Sequence, residues 1–185
     1  MYKAVLLLGS NKGFESLDSE QILEQATLSL IDELLPSYLE VGALEEVVAT
    51  TPIIETAPCG EFEKEFDSNG KEQPTPPFKN MAISCLTELD PQRVLGVCME
   101  VEKRFGRTRR YKKKGLVYHS RTLDIDILRV YELAESKSIR GGKKAEESQT
   151  WREIFSEKEE LKLPHPQIVT RAFVGELLTR LEQCK

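Results

Sequence analysis

At 185 residues, with 39% hydrophobic and 31% charged side chains, the chain suits one domain built on a single core, spanning 1–185. A formal net charge of −5 argues against a general nucleic-acid binder, and no apolar run reaches the roughly 18 residues that a membrane span needs. The cysteines, Cys59, Cys85, Cys98 and Cys184, form no C-x-x-C pair, and with only His119 and His165 beside them no zinc-site spacing arises, so buried thiols in a reducing, cytoplasmic setting are expected.

The N-terminal stretch MYKAVLLLG is too short for a signal-peptide core and lacks a small-residue cleavage pattern. Lys3 to Leu8 therefore read as a buried strand that ends in the turn Gly9-Ser10-Asn11. Asp18 is placed to cap a helix, with Gln21 as its capping-box partner. Leu23, Ala26, Leu30, Ile31 and Leu34 then recur at helical spacing until Pro36 stops them. Val47 to Thr56 is rich in Val, Ile and Thr and reads as one strand, with Pro52 implying an edge position or a bulge. Gly60 to Pro77 reads as a mobile loop, and Lys79 to Thr87 as a further strand. Asp90 and Pro91 start the clearest helix, Val94, Cys98, Val101 and Phe105 form its stripe, and Gly106 ends it.

Arg107 to Lys114 reads as a basic loop, and Arg121 to Leu128 as a strand with strict alternation. Residues 132–160 are polar, without sustained periodicity, and read as an insertion holding a short helix near Trp151 to Phe155. Pro164-His165-Pro166 is a stiff turn before a last helix with Phe173, Val174, Leu177, Leu178 and Leu181. The β-α-β-β-α-β order predicts an α+β ferredoxin-like sandwich: a mainly antiparallel sheet with its helices on one face.

Chemistry concentrates in RTLDIDIL, residues 121–128. On a strand Leu123, Ile125 and Ile127 point to one face, and Asp124 and Asp126 share the other, about 7 Å apart. Two neighbouring carboxylates repel unless a cation joins them, and Mg²⁺ takes such oxygen ligands together with substrate phosphates. Two ions would make a two-metal clamp. The alternative is a solvated strand face bearing two ordinary acids. Between Lys103 and Arg121, nine of nineteen residues are Lys or Arg and none is acidic. Arg107, Arg109 and Arg121 suit bidentate grip on phosphate, whereas an RNA patch would interleave more aromatics than Tyr111 and Tyr118. No glycine-rich phosphate loop of either common type occurs, so any nucleotide must be held by arginines and metal. His165 is stiffly held by its flanking prolines and is either structural or catalytic. Phe173 alone reads as core. Asn80 could hydrogen-bond a heterocycle or cap a turn.

Taken together, LLLGSN, TAPCG, FKNMA, EKRFGRTR, RTLDIDIL and LPHPQIVTRAF occur in one order. In that order the chain resembles the 6-hydroxymethyl-7,8-dihydropterin pyrophosphokinase family over nearly its whole length. The resemblance implies transfer of pyrophosphate from ATP to 6-hydroxymethyl-7,8-dihydropterin in folate biosynthesis, with AMP released. A monomer is expected, with neither nucleic acid nor membrane as partner. The resemblance also implies that Asp124 and Asp126 hold two Mg²⁺ ions and that Arg107 and Arg121 share the catalytic work with them. Arg109, Arg121, His165 and Arg171 would bind ATP. Phe78 and Phe173 would sandwich the pterin, with Thr56, the Cys59 backbone and Asn80 at its edge. Glu102 matches a family acid. Where the family often has Trp-Gly-Pro-Arg, this chain has Tyr118-His119-Ser120-Arg121, and residues 132–160 are longer than usual.

Overall fold

The computed structural model describes residues 1–36, 47–107, 117–137 and 147–183. In chain order they form β1 (Tyr2–Ser10), α1 (Ser19–Leu34), β2 (Val48–Thr50), β3 (Ile54–Thr56), β4 (Glu61–Phe62), β5 (Glu65–Phe66), β6 (Glu72–Gln73) and β7 (Phe78–Thr87). Then follow α2 (Pro91–Arg104), β8 (Val117–Tyr118), β9 (Asp124–Lys137), β10 (Glu147–Glu153), β11 (Ser156–Lys158), β12 (Leu161–Leu163), α3 (Gln167–Thr170) and α4 (Ala172–Gln183). The main sheet runs β10-β9-β1-β7-β2, with β3 also on β7, and every neighbouring pair is antiparallel. This is the α+β sandwich that the element order predicts.

Local chemistry explains the helix ends. Asp18 accepts from the Glu20 and Gln21 amides while the Gln21 side chain accepts from the Asp18 amide, so the capping box at α1 is complete. At α2 the Asp90 side chain accepts from the Gln92 and Arg93 amides, with Pro91 as the first helical residue. Gly106 ends α2 at φ +74°, and a Cβ there would strike the Phe14 ring, so both conformation and space demand glycine.

Two cores lie on the two faces of the sheet. The larger packs Ala4, Leu6, Leu8, Ile83, Leu123, Ile125 and Ile127 against Leu23, Ala26 and Leu30 of α1 and Val94, Cys98 and Val101 of α2. The smaller packs Val5, Leu7, Ala82 and Leu128 against Val174, Leu177 and Leu181 of α4. The expectation of helices on one face is therefore corrected: α4 covers part of the opposite face. Cys85 and Cys98 are buried thiols, and burial pushes Cys85 up to about 12 and Cys98 higher still, whereas Cys59 is exposed.

Other expectations also change. Val47 to Thr56 is not one strand. Its ladder on β7 advances from Thr50↔Ile83 to Ile54↔Asn80, so one extra residue must be absorbed around Pro52, which has no N–H to give. Thr51 spans the break by donating its amide to the Ala82 carbonyl and accepting the Ala82 amide on Oγ1. Residues 60–77 hold three two-residue strands rather than a plain loop. The strand expected over Arg121 to Leu128 begins at Asp124, not Arg121, and continues to Lys137. Residues Glu147–Glu153 pair with it, so the helix expected near Trp151 is a strand. Cross-strand pairing, invisible to a search for periodicity, won there.

β9 also carries a bulge. Ile127 pairs with Leu6 and Arg129 with Val5, which leaves Leu128 as an extra residue. Before the bulge the odd-numbered residues Leu123, Ile125 and Ile127 enter the larger core, and after it Val130 does.

Candidate active site

The site is built on the half of the β9–β1–β7 face that α4 leaves open. Leu123, Ile125 and Ile127 are buried on the far side, each stabilising the placement by roughly 1.5–3 kcal/mol. A slip of one residue would bury Asp124 and Asp126 instead, so this burial sets the acids' position. Gly9 pairs with Asp124 and Leu7 with Asp126, and both line the same cleft as the two acids. A Cβ on Gly9 would stand 3.0 Å from Asn80 Oδ1, so glycine lets the Asn80 side chain lie across β1.

Asp124 is held by two arginines. Arg107 Nη2 lies 2.7 Å from its Oδ1, and Arg121 pairs with its Oδ2. Arg107 comes directly off the end of α2 and also donates to the Leu123 carbonyl at 2.9 Å. Arg121 is fixed through its backbone: its amide donates to Asn11 Oδ1 at 2.7 Å, and its carbonyl accepts from the Asn11 amide. Among the described residues no arginine is paired with Asp126. Gln167 Nε2 donates to its Oδ2 at 2.6 Å, and His165 Nε2 stands 3.8 Å from its Oδ1. Burial first, then the Asp124 charge, push the Asp126 carboxyl up to about 7, while Gln167 and Arg121 pull the other way. His165 is held below its ordinary value chiefly by burial, with Arg171 adding to the effect and Asp124 opposing it.

Behind the acids Glu102 is 2% exposed, and its Oε1 accepts from the Ile125 amide at 2.9 Å. Ile125 lies between the two aspartates, so α2 grips the strand at that point.

The rest of the cleft suits a flat ring. Phe78, Phe62, Tyr118 and Phe173 line it together with Thr56, Cys59, Asn80, Arg121 and Arg171. Phe62 lies 5.9 Å from Phe78 and 5.7 Å from Tyr118, centroid to centroid, both tilted. Asn80 Nδ2 donates to Thr56 Oγ1 at 2.9 Å, which orients the amide. Phe62 and Tyr118 are brought in by a two-residue parallel pairing of β4 with β8, beside which His119 Nδ1 meets Glu63 Oε2 at 2.6 Å.

Of the residues expected in a site, Thr56, Cys59, Phe78, Asn80, Arg121, Asp124, Asp126, Arg171 and Phe173 line one cleft. Arg107 and His165 reach the same acids from its edge. Arg109 lies outside the described residues. Phe62, Asn11 and Gln167 are additions from the structure. Gln167 follows the Pro-His-Pro turn by one residue, and Asn11 ends LLLGSN, so proximity to a stiff motif is the signal that could have found them.

The fold and the cleft define an α+β sandwich protein with a carboxylate pair, flanking arginines and an aromatic slot at one end of its sheet. Comparison with known sequences identifies it further. The profile of the 7,8-dihydro-6-hydroxymethylpterin-pyrophosphokinase (HPPK) family matches residues 5–183, and the chain belongs to that family. Proteins named 2-amino-4-hydroxy-6-hydroxymethyldihydropteridine pyrophosphokinase from two strains of Porphyromonas gingivalis (ATCC 33277 and W83) are each 36% identical over 100 residues. Those residues are 53% of this chain and 52% of each relative, so the chain spans about half the length of these relatives. A protein of the same name from Bacillus subtilis strain 168 is 29% identical over 171 residues, 92% of this chain and 72% of the relative. No helix of the described residues is long and apolar enough to cross a membrane.

Proposed function

We propose that residues 1–185 act as one pyrophosphokinase domain that transfers the β,γ-diphosphoryl group of ATP to the hydroxymethyl group of 6-hydroxymethyl-7,8-dihydropterin, releasing AMP, as a monomer in the cytoplasm and without nucleic acid or membrane as partner. The observation that carries this reading is the acid pair Asp124 and Asp126 opening into the cleft that Phe78 and Phe173 line. Family membership and the names of the relatives support it.

The donor set fits Mg²⁺. Among the described residues no group of three or more His, Cys, Asp and Glu side chains is arranged to hold a metal, so a protein-only cage is absent there. Two carboxylates alone are what Mg²⁺ commonly takes when substrate phosphates and water complete its shell. The raised Asp126 carboxyl is a second sign, because a divalent cation would offset both causes of that rise. Asp124 and Asp126 would hold two Mg²⁺ ions. When bound, magnesium neutralises phosphate charge and makes a coordinated hydroxyl more acidic.

The chain's own residues do the positioning. Arg121 and Arg107, already drawn to Asp124, would turn part of their charge to the polyphosphate. Arg171 would approach it from the start of α4 and Arg109 from the basic loop. His165, its proton affinity lowered by burial, would donate a hydrogen bond as a neutral imidazole. Phe78 and Phe173 would stack on the two faces of the pterin, each contributing on the order of 1–3 kcal/mol. Asn80, with its nitrogen turned to Thr56, would present its oxygen to a ring N–H, with Thr56 and the Cys59 backbone beside it. Phosphoryl transfer depends mostly on such placement and on charge stabilisation.

Calorimetry with a nonhydrolysable MgATP analogue and with the pterin, added separately and in either order, tests the reading. Phe173→Ala should weaken pterin binding roughly 10- to 100-fold, the loss expected for one stacked ring. Nucleotide binding should be spared. Equal losses for both ligands would make Phe173 a core residue only, and wild-type protein that binds neither would end the proposal.

A further inference from the structure

The geometry points to Gln167 as a positioning residue that makes Asp126 a one-oxygen ligand and so favours Mg²⁺ over Ca²⁺. This inference rests on the reading proposed above.

The four carboxylate oxygens of the acid pair are not equivalent. Asp124 Oδ1 faces Arg107 and Asp124 Oδ2 faces Arg121. Asp126 Oδ2 accepts from Gln167 Nε2 at 2.6 Å. Among the described residues, the group facing Asp126 Oδ1 is His165 Nε2 at 3.8 Å, beyond hydrogen-bond range. An ionised carboxylate only accepts, so the nitrogen end of the Gln167 amide is the end that must face it. One oxygen of Asp126 is therefore engaged by a neutral donor, and the other is left for a cation.

The sequence makes this placement stiff. The His165 amide donates to the Leu128 carbonyl at 2.8 Å, which hangs the Pro-His-Pro turn on the strand that carries Asp126. The Gln167 amide lies 3.3 Å from His165 Nδ1 and the Ile168 amide 3.1 Å from the His165 carbonyl, so the chain turns at once into α3. Gln167 is the first residue of α3, half-buried, with its side chain directed back over Asp126.

The chemical consequence concerns the metal. Mg²⁺ demands near-octahedral geometry with short bonds and suits single carboxylate oxygens, whereas Ca²⁺ is larger and often takes both oxygens of one carboxylate. A donor fastened to Asp126 Oδ2 makes the two-oxygen mode costly. Outer partners that orient a metal ligand commonly account for 10- to 100-fold in metal affinity.

Mg²⁺ and Ca²⁺ are titrated calorimetrically into wild-type protein and Gln167→Met, each saturated with the nonhydrolysable ATP analogue and each checked by its melting curve. Met keeps the length and loses the donor. Gln167→Met should lose roughly 10- to 100-fold in Mg²⁺ affinity and less in Ca²⁺ affinity, so that the preference between the ions narrows about 10-fold. Gln167→Lys, which restores an N–H donor, should recover most of the preference. Gln167→Ala gives the same answer if the thioether disturbs the turn. A folded Gln167→Met or Gln167→Ala protein with the wild-type preference, or with equal losses for both ions, overturns this inference alone. Wild-type protein that takes up neither ion beside the nucleotide overturns the parent reading and this inference with it.

Discussion

The two halves of the cleft are made in opposite ways. The acid half is embedded: β9 is clasped by β1, pinned beneath by Leu123, Ile125 and Ile127, gripped by buried Glu102 and tied to Asn11 through Arg121. Among the described residues, the aromatic rim around Phe62 and Tyr118 is joined by a ladder of two residues per strand, a Glu63 amide bond to the Tyr118 carbonyl and a half-exposed His119–Glu63 pair. Embedded groups keep their geometry when nothing is bound, as charge stabilisation requires. A thinly held rim can open at small cost to admit a ring and close on it.

The sharpest way to break that contrast is at the acids. Asp126→Asn keeps size and shape while removing the charge, so the fold should survive. Turnover, followed as AMP release, should fall by about 1,000-fold, at the upper end of what a lost charge-stabilising group costs. Retained turnover would mean that the embedded half is scaffold only. Next comes Glu102→Ala. It strands the Ile125 amide in the core, and urea unfolding should show a loss of about 1–3 kcal/mol together with reduced activity. Unchanged stability would show that α2 does not grip the strand. The smallest effect belongs to the rim. His119→Ala removes an exposed pair, the kind worth about 0.2–1 kcal/mol, so the melting point should barely move while the pterin dissociation rate measured by stopped flow rises. A large loss of stability would place the rim with the rigid half.

Legibility from sequence follows the same division. Asp18, Gln21, Asp90, Pro91 and Gly106 announce the helix ends because caps act within a few residues. RTLDIDIL announces both its core side and its acid side because strand alternation is local. What escaped depends on distant partners. β10 exists because Glu147–Glu153 finds β9, and its residues show no period of their own. Pro52 does announce an edge position or a bulge, and both are found, but the register that fixes the extra residue is set by pairing with β7. Gln167 becomes part of the site only because the turn before it docks on Leu128, a contact that no spacing rule contains.

The bulge at Leu128 has a further consequence. It separates the phase of the acid-bearing start of β9 from the phase of its distal end. Lengthening, trimming or replacing the distal hairpin formed with β10 leaves Asp124 and Asp126 on their own side, because the keying is done upstream. A one-residue deletion between Arg121 and Ile127 has no such buffer, and it would swap the ionic and greasy sides of the strand in a single step. Length changes should therefore be tolerated in the far part of the β9–β10 hairpin, beyond the buried Val130, and be ruinous between Arg121 and Ile127, which makes that hairpin the place for grafting a tag or probe.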